Sequence, residues 1–410
     1  MTYIFLIYFF LVRNKGLLFL FLISFIISTL LLGLLINKVP NINNLTDVSI
    51  SFFSALILIF LIHGFKNYRN LKTITPYINN KSFNKLTKVL IVIGMFVTLI
   101  NVFITYKAFG ALLSESINVQ GYKNEGEAGD FLIQWVGAGP LFISRFLSPI
   151  GYYALGLHFY FLIIRKVKKS FIFFIISLNI PLLGFHGLSR SAAIQFILMY
   201  IAFFLYSYSA LGKKIRKKMV VYSAVIFTTA FLLLNIITES RFSKYYYIPS
   251  SSPIQDPVLY STLDYGSQWN FNGFEVSKNY SVDKLMYGRS TFPIVPFIGN
   301  RIGLNFTSLS DLRRQKLGDK YDGTFNGVVG TLLYDFGYFF TLIFAVIFYK
   351  IVARGAPKKG NVYLHNFISF GVLIPLPLMF FTNNVYSYIA LNLAIIYLII
   401  INFLMKISKK

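Results

Sequence analysis

The 410-residue chain contains no cysteine, two tryptophans, four histidines and only 14 acidic residues against 39 basic ones. The first absence removes disulfides and thiol chemistry. His63, His158, His186 and His365 lie in separate segments without metal-ligand spacing, so no metal site and no cofactor is expected. No Walker or Rossmann glycine motif, internal repeat or low-complexity linker occurs, which leaves ATP-driven transport by this chain alone unsupported. A shortage of acid can mark a nucleic-acid binder, but the placement of the charges points elsewhere.

What the chain has in abundance is apolar surface. A hydrophobic share of 56%, 45 phenylalanines and a mean hydropathy of +0.64 exclude a soluble enzyme. Runs of roughly 20 apolar residues, enough to cross about 30 Å of hydrocarbon, recur along it. They predict membrane helices near 16–36, 47–64, 87–105, 146–164, 171–187, 191–211, 219–237, 327–349, 364–383 and 387–405. Residues 3–12 form a shorter run that suits the interface; with no basic region before it, it does not read as a cleavable signal peptide. The expected fold is an all-α polytopic membrane protein of about ten spans, one integral domain over residues 1–410.

Cutting the chain at these runs separates the charges. Short segments around Arg13, Lys66 to Lys88, Arg165 to Lys169, Lys213 to Lys218, Lys350 to Lys359 and Lys406 to Lys410 carry 24 basic residues and no acid. The other 15 basic residues share the intervening segments with all 14 acids. Cationic loops resist translocation, so the first set is expected in the cytoplasm together with both termini. The net charge of +25 then reads as topology, with the bilayer and not nucleic acid as the partner. Abundant Ile, Lys, Asn and Phe with few Ala suggest an AT-rich bacterial source.

Three outer stretches are candidates for function. In 106–145, four acids precede the apolar piece 131–144, which with Gly137, Gly139 and Pro140 suits a re-entrant or surface-lying helix. The second is the tight turn from Phe185 to Arg190. The third, 238–326, is the largest polar segment, with ten basic and eight acidic residues, Trp269 and eight tyrosines. Loops on a rigid scaffold tend to carry function.

Arg190, in Gly187-Leu188-Ser189-Arg190-Ser191, sits between two spans with almost no loop to hold it in water. An arginine at the hydrocarbon edge must pair or snorkel. It reads either as an interface anchor or as a planar fork aimed at a pyrophosphate. His186 on the same turn is a weaker candidate, since a lone interfacial histidine is commonly structural. Arg241, Arg289 and Arg301 could converge with Arg190 on a leaving group, where fixed cations stabilise developing charge. Each is equally readable as solvated loop charge, and Arg313-Arg314 reads as a solvated pair. Asp335 is the sole acid within an expected span, a general base or a buried structural partner of an arginine. Glu239, two residues before Arg241, is the other base candidate. Trp269 lies far from any expected span and could contact a ligand, whereas Tyr245 to Tyr247 fit an interfacial belt.

The order of these parts resembles the Wzy-type oligosaccharide repeat-unit polymerases of bacterial O-antigen and capsule synthesis. The pieces that carry the likeness are Gly187-Leu188-Ser189-Arg190-Ser191-Ala192, the long outer loop, and Thr324-Phe325-Asn326-Gly327 followed by Tyr334-Asp335-Phe336-Gly337. It covers most of the chain as architecture but only about twenty residues as sequence. The resemblance implies a metal-independent, GT-C-like glycosyltransferase of the cytoplasmic (inner) membrane, active on its outer face. Donor and acceptor would both be undecaprenyl-pyrophosphate-linked oligosaccharides, with a chain-length regulator and a flippase as further partners. Essential outer-loop arginines of such enzymes map onto Arg190, then Arg241 and Arg289. The chain departs from many relatives in having ten spans where twelve or more are common, and it lacks a paired arginine–glycine repeat in its outer loops.

The nearest rival is an O-antigen ligase, for which a histidine is expected in the large outer loop; 238–326 has none. A flippase or secondary transporter would call for inverted repeats and helices broken near the midplane. A structural membrane partner without activity is the third alternative.

Overall fold

A chain in hydrocarbon must satisfy its backbone polar groups within itself, so long apolar runs become helices. The computed structural model describes residues 1–12, 15–76, 80–113, 127–187, 189–221, 224, 228, 248–250, 252–318 and 324–407, and these are mostly helical. Six of the helices are long and apolar enough to cross a membrane, or seven if one bent pair counts as a span. This is an all-α, multi-pass membrane architecture. The expected span at 219–237 falls largely outside the described residues. The chain divides into two compact units, each assembled from discontinuous segments.

The first unit comprises Met1–Arg69, Phe242–Ala356 and Ile374–Asn392. Its helices are α1 (Thr2–Leu11), α2 (Leu17–Leu35) and α3 (Leu45–His63) from the N-terminal segment. In the second unit lie α4 (Asn80–Leu113), α5 (Glu127–Val136), α6 (Ala138–Leu147), α7 (Ile150–Ile163), α8 (Val167–Ser177), α9 (Asn179–Phe185) and α10 (Arg190–Ser207). The first unit resumes with α11 (Pro257–Lys278), α12 (Ile294–Arg301), α13 (Leu309–Leu317) and α14 (Gly327–Gly355). Then follow α15 (Leu364–Leu373) of the second unit, the single turn α16 (Pro375–Leu378) of the first, and α17 (Ile389–Ile407). Three residues of β1 (Thr73–Thr75) pair in parallel with β2 (Asn361–Tyr363) in the second unit.

In the first unit, α11 departs most from expectation. It belongs to the polar 238–326 segment yet packs against α2 and α14 as part of the core. Asp256 caps its start by accepting from the Leu259 amide, and Pro257 follows at the first helical position, where its missing N–H costs nothing. Lys38 pairs with Asp264 at 2.7 Å, and Lys278 with the fully buried Asp47 at 3.2 Å. The two ion pairs tether the helix at points fourteen residues apart, to the segment before α3 and to the first turn of α3. Close approach to the entry of α14 requires Gly273: a Cβ there would stand 2.6 Å from the Asn326 carbonyl oxygen.

Breaks in the helices mark the second unit. The apolar piece 131–144 is split between α5 and α6 at Gly137, whose φ of 85° suits glycine alone, and α6 bends from α7 by 46°. The expected span at 171–187 appears as α8 and α9, which run on through Leu178 as one apolar stretch, Val167–Phe185, long enough to cross a membrane. A buried side-chain network joins the helices. Asn101 donates to Ser148 (2.8 Å) and to the Asn179 side-chain oxygen (2.7 Å), and accepts from Ser144. Asn179 in turn donates to Thr98 at 3.0 Å. Phenylalanines fill the apolar remainder, Phe203 packing on Phe159 and Phe370 at centroid distances of 5.4 and 4.8 Å.

Gly273→Ala should cost about 1–3 kcal/mol through overpacking. A lowered thermal unfolding midpoint of the detergent-solubilised chain is expected, beside an unaltered one for Gly110→Ala, where an added Cβ meets nothing within 4 Å. Equal midpoints would refute the tight α11–α14 contact.

Candidate functional site

Asp335 organises the polar heart of the first unit. It lies eight residues into α14 and is only 1% exposed. Two residues later the helix breaks: Gly337 has φ 71° and ψ 174°. A break of this kind strands carbonyl oxygens, and the segment 286–288 supplies their donors. The Met286 amide donates to the Tyr334 carbonyl at 2.8 Å, and the Gly288 amide to the Asp335 carbonyl at 3.0 Å. Gly288 itself needs glycine, with φ 75° and Phe336 packed where a side chain would begin.

The Asp335 carboxylate completes the docking. It accepts from the Ser290 amide at 3.0 Å, from the Thr291 hydroxyl at 2.5 Å and from the Thr291 amide. Thr291 is held from two further sides. Asn384 donates to its hydroxyl at 2.7 Å and Asn392 to its carbonyl at 3.2 Å. A carboxylate with its oxygens filled by backbone and hydroxyl donors is a clamp on the 288–292 turn. Of the two sequence readings of Asp335, the geometry favours the structural one, although its principal partners are loop donors and not an arginine side chain.

The clamped turn carries Arg289. Its Nη2 donates to the Thr307 carbonyl at 2.7 Å while the guanidinium lies over the Phe306 ring, 5.3 Å from the centroid. Arg313 approaches from α13: its Nη2 donates to the buried Ser290 hydroxyl at 3.2 Å, within electrostatic reach of Asp335. The sequence reading of Arg313-Arg314 as a solvated pair is therefore corrected for Arg313, which is half-buried; Arg314 is exposed. Arg301, at the end of α12, is exposed and sits over Phe297 at 5.8 Å. Trp269 is buried with its ring edge on Phe380, in the packing of α11 and not on an open platform. Arg241 and Glu239 lie outside the described residues.

The second unit holds the other sequence candidates. Arg190 opens α10 and is 9% exposed. A cation at this end of a helix opposes the macrodipole and costs more when desolvated. The turn before it is tight: the Gly187 and Ser189 amides both donate to the Gly184 carbonyl, and a Cβ at Gly184 would collide with Ala192 at 2.2 Å. His186, at the end of α9, is buried and hydrogen-bonds the backbone of Asn101, with Arg145 within electrostatic reach. Arg190 and His186 thus share one turn of the second unit, whereas Asp335, Arg289 and Arg301 belong to the first.

Sequence reasoning passed over Arg313, Asn383, Asn384 and Asn392. The usable signal was polar residues interrupting apolar runs, at Thr382-Asn383-Asn384 and at Asn392. Among the described residues, no group of three or more His, Asp or Glu side chains could hold a metal ion. Comparison with protein-family models, curated proteins and solved structures finds no match.

Removing the clamp should free the loop. Asp335→Ala leaves three donors unpaired, on the order of 3 kcal/mol, or about a hundredfold in the population of the open loop. Trypsin should then cleave after Arg289 far faster than in the parent, with Thr291→Val intermediate. Unchanged cleavage would show that the turn stands without the carboxylate.

Proposed function

We propose that the chain is a membrane glycosyltransferase of the Wzy type, which polymerises undecaprenyl-pyrophosphate-linked repeat units on the outer face of the bacterial cytoplasmic membrane. The observation that carries this reading is the braced turn. Arg289 rides on the turn that Asp335 clamps, and Arg313 grips Ser290 of the same turn, inside a multi-pass helical protein whose acids, Asp335 apart, fall in or at the edge of the expected outer segments. Prepositioned guanidinium groups suit a pyrophosphate leaving group, because fixed cations need no reorganisation as charge develops.

In the proposed reaction, an acceptor sugar hydroxyl attacks the anomeric carbon of the donor glycan. The new C–O bond forms as the bond to the carrier phosphate breaks, undecaprenyl pyrophosphate departs, and the hydroxyl proton passes to a base. In the first unit, Arg289 and Arg301 are the cations assigned to the donor side; Arg190 and Arg241 are candidates through the resemblance alone. Glu239 is the better base candidate, since Asp335 would have to release its three donors to accept the proton. Its part is to position the arginine-bearing turn.

A second reading, a flippase or secondary transporter, gains support from the helix breaks at Gly137 and Gly337, since such proteins use broken helices at their binding sites. A gel of surface glycan separates the two. Deletion of the gene should remove the long ladder while leaving a single repeat unit on its final anchor. Loss of that single-repeat form as well would indicate a ligase or flippase, and an unaltered ladder would defeat the polymerase reading. Arg190→Ala should fail to restore the ladder, and Arg190→Lys should do nearly as badly because a point charge lacks the fork. Full ladder length with Lys would count against that role.

The assigned face has its own test, made simple by the absence of cysteine. A single cysteine replacing Asp283 should react in intact spheroplasts with a membrane-impermeant maleimide, and one replacing Lys214 should react only after lysis. The reverse pattern would place the braced turn in the cytoplasm.

A further inference from the structure

Next to the Arg289 turn, α12 and the residues that flank it present an exposed apolar face. Phe292, Val295, Ile298, Ile302 and Leu304 are each between 45% and 72% exposed. Val295, Ile298 and Ile302 are spaced by three and four residues, which puts them on one face of the helix, and Asn300 falls roughly opposite. A contiguous apolar patch rimmed by polar residues marks an interaction surface. The helix has eight residues, about 12 Å, far too short to cross a bilayer.

What lies against this face follows from its neighbours. The helix α14, long and apolar enough to cross a membrane, exposes Phe339, Phe340, Ile343 and Ile347. Phe344 of that helix stacks on Phe336 at 5.7 Å, and Phe336 meets the Phe292 ring at 6.4 Å. These aromatic contacts carry the apolar surface of α14 past the break at Gly337 to the entry of α12. The polar edge fits the same surroundings. Arg301 is exposed with its guanidinium over Phe297, the posture of a cation that rests on apolar surface and keeps its head in water or among phosphates. The helix is also held firmly. Asn300 Nδ2 donates to the Phe306 carbonyl at 3.1 Å and the Phe306 amide to Asn300 Oδ1 at 2.6 Å, while the Phe306 ring lies under the Arg289 guanidinium.

We propose that α12 lies flat in the membrane interface, with Val295, Ile298 and Ile302 among the headgroup ends of the acyl chains of the bilayer lipids and Arg301 at their phosphates. An amphipathic helix binds a lipid surface in this way, by burying its apolar face and leaving its cations at the headgroups. Through the Asn300–Phe306 staple, this placement sets Arg289 at the depth of the headgroup layer. The lipid contact itself does not depend on the polymerase reading. Its consequence does: on that reading, the headgroup layer is where the carrier pyrophosphate would arrive.

The test attaches a polarity-sensitive bimane to a single cysteine replacing Val295 or Ile298 in the otherwise cysteine-free full chain, reconstituted into vesicles of phosphatidylethanolamine and phosphatidylglycerol. Asp283→Cys, at an exposed position, is the aqueous control. Emission from both α12 sites should be blue-shifted against the control and protected from iodide present on both sides of the membrane. It should be strongly quenched by phospholipid brominated near the headgroup end of its chains, and less when the bromines sit near the chain ends. Iodide quenching equal to that of Asp283→Cys would overturn the proposal, since the face would then be in water. So would protection from both quenchers, which would mean that protein covers the face. Stronger quenching from the chain ends would also overturn it, by placing the segment deep in the bilayer. A glycan ladder unaltered by gene deletion would remove the polymerase reading and leave the lipid contact standing.

Discussion

A membrane helix that stops short exposes carbonyl oxygens which lipid cannot hydrate, and each costs several kcal/mol unless the protein itself supplies a donor. In the first unit this constraint is concentrated at Gly337. The break is tolerable because Met286 and Gly288 deliver amides to the stranded carbonyls. That delivery in turn needs the 286–292 segment to stay docked, and the Asp335 carboxylate holds it through Ser290 and Thr291. The acid is thus the consequence of the break. A glycine that lets the helix turn aside and a carboxylate that fastens the patch form one device, and the arginines of the neighbouring turns inherit their positions from it.

The second unit joins its helices through neutral side chains: Asn101 donates to Asn179 and Ser148 and accepts from Ser144, and Asn179 donates to Thr98. Neutral amides avoid the large desolvation cost of a carboxylate and still fix helix register, because an amide in hydrocarbon has few alternative partners. The contrast explains where charge appears. A carboxylate is used where a polar turn carrying several donors must be captured, and amides suffice where helices meet side by side.

The apolar runs were legible because hydrocarbon imposes length and composition directly: the expected helix at 16–36 appears as Leu17–Leu35, and that at 327–349 starts at Gly327. What sequence could not convey was α11. Its residues are too polar to read as a buried helix, and it reaches the core through glycines and two ion pairs whose partners stand more than 200 residues away in sequence. Trp269 is hidden for the same reason, because distance from an apolar run in sequence is not distance from the core. Arg313 was hidden by Arg314. A doublet looks solvated, yet on a helix adjacent residues face about 100° apart, so one can be half-buried while the other remains in water. Arg190 and Asp335 were visible because charge against hydrocarbon stands out without any knowledge of the fold.

The state of Asp335 constrains any chemistry carried out beside it. To take a proton, the carboxyl would have to give up one of its three hydrogen bonds at the moment the turn must stay in place. General-base work at this position would therefore loosen the arginines that leaving-group stabilisation requires. The two tasks conflict on one residue and are compatible on two. A site built this way acts through its fixed cations, with the proton moving to a group that braces nothing. By that argument the clamp and the base are different residues, whichever glycan or lipid the first unit receives.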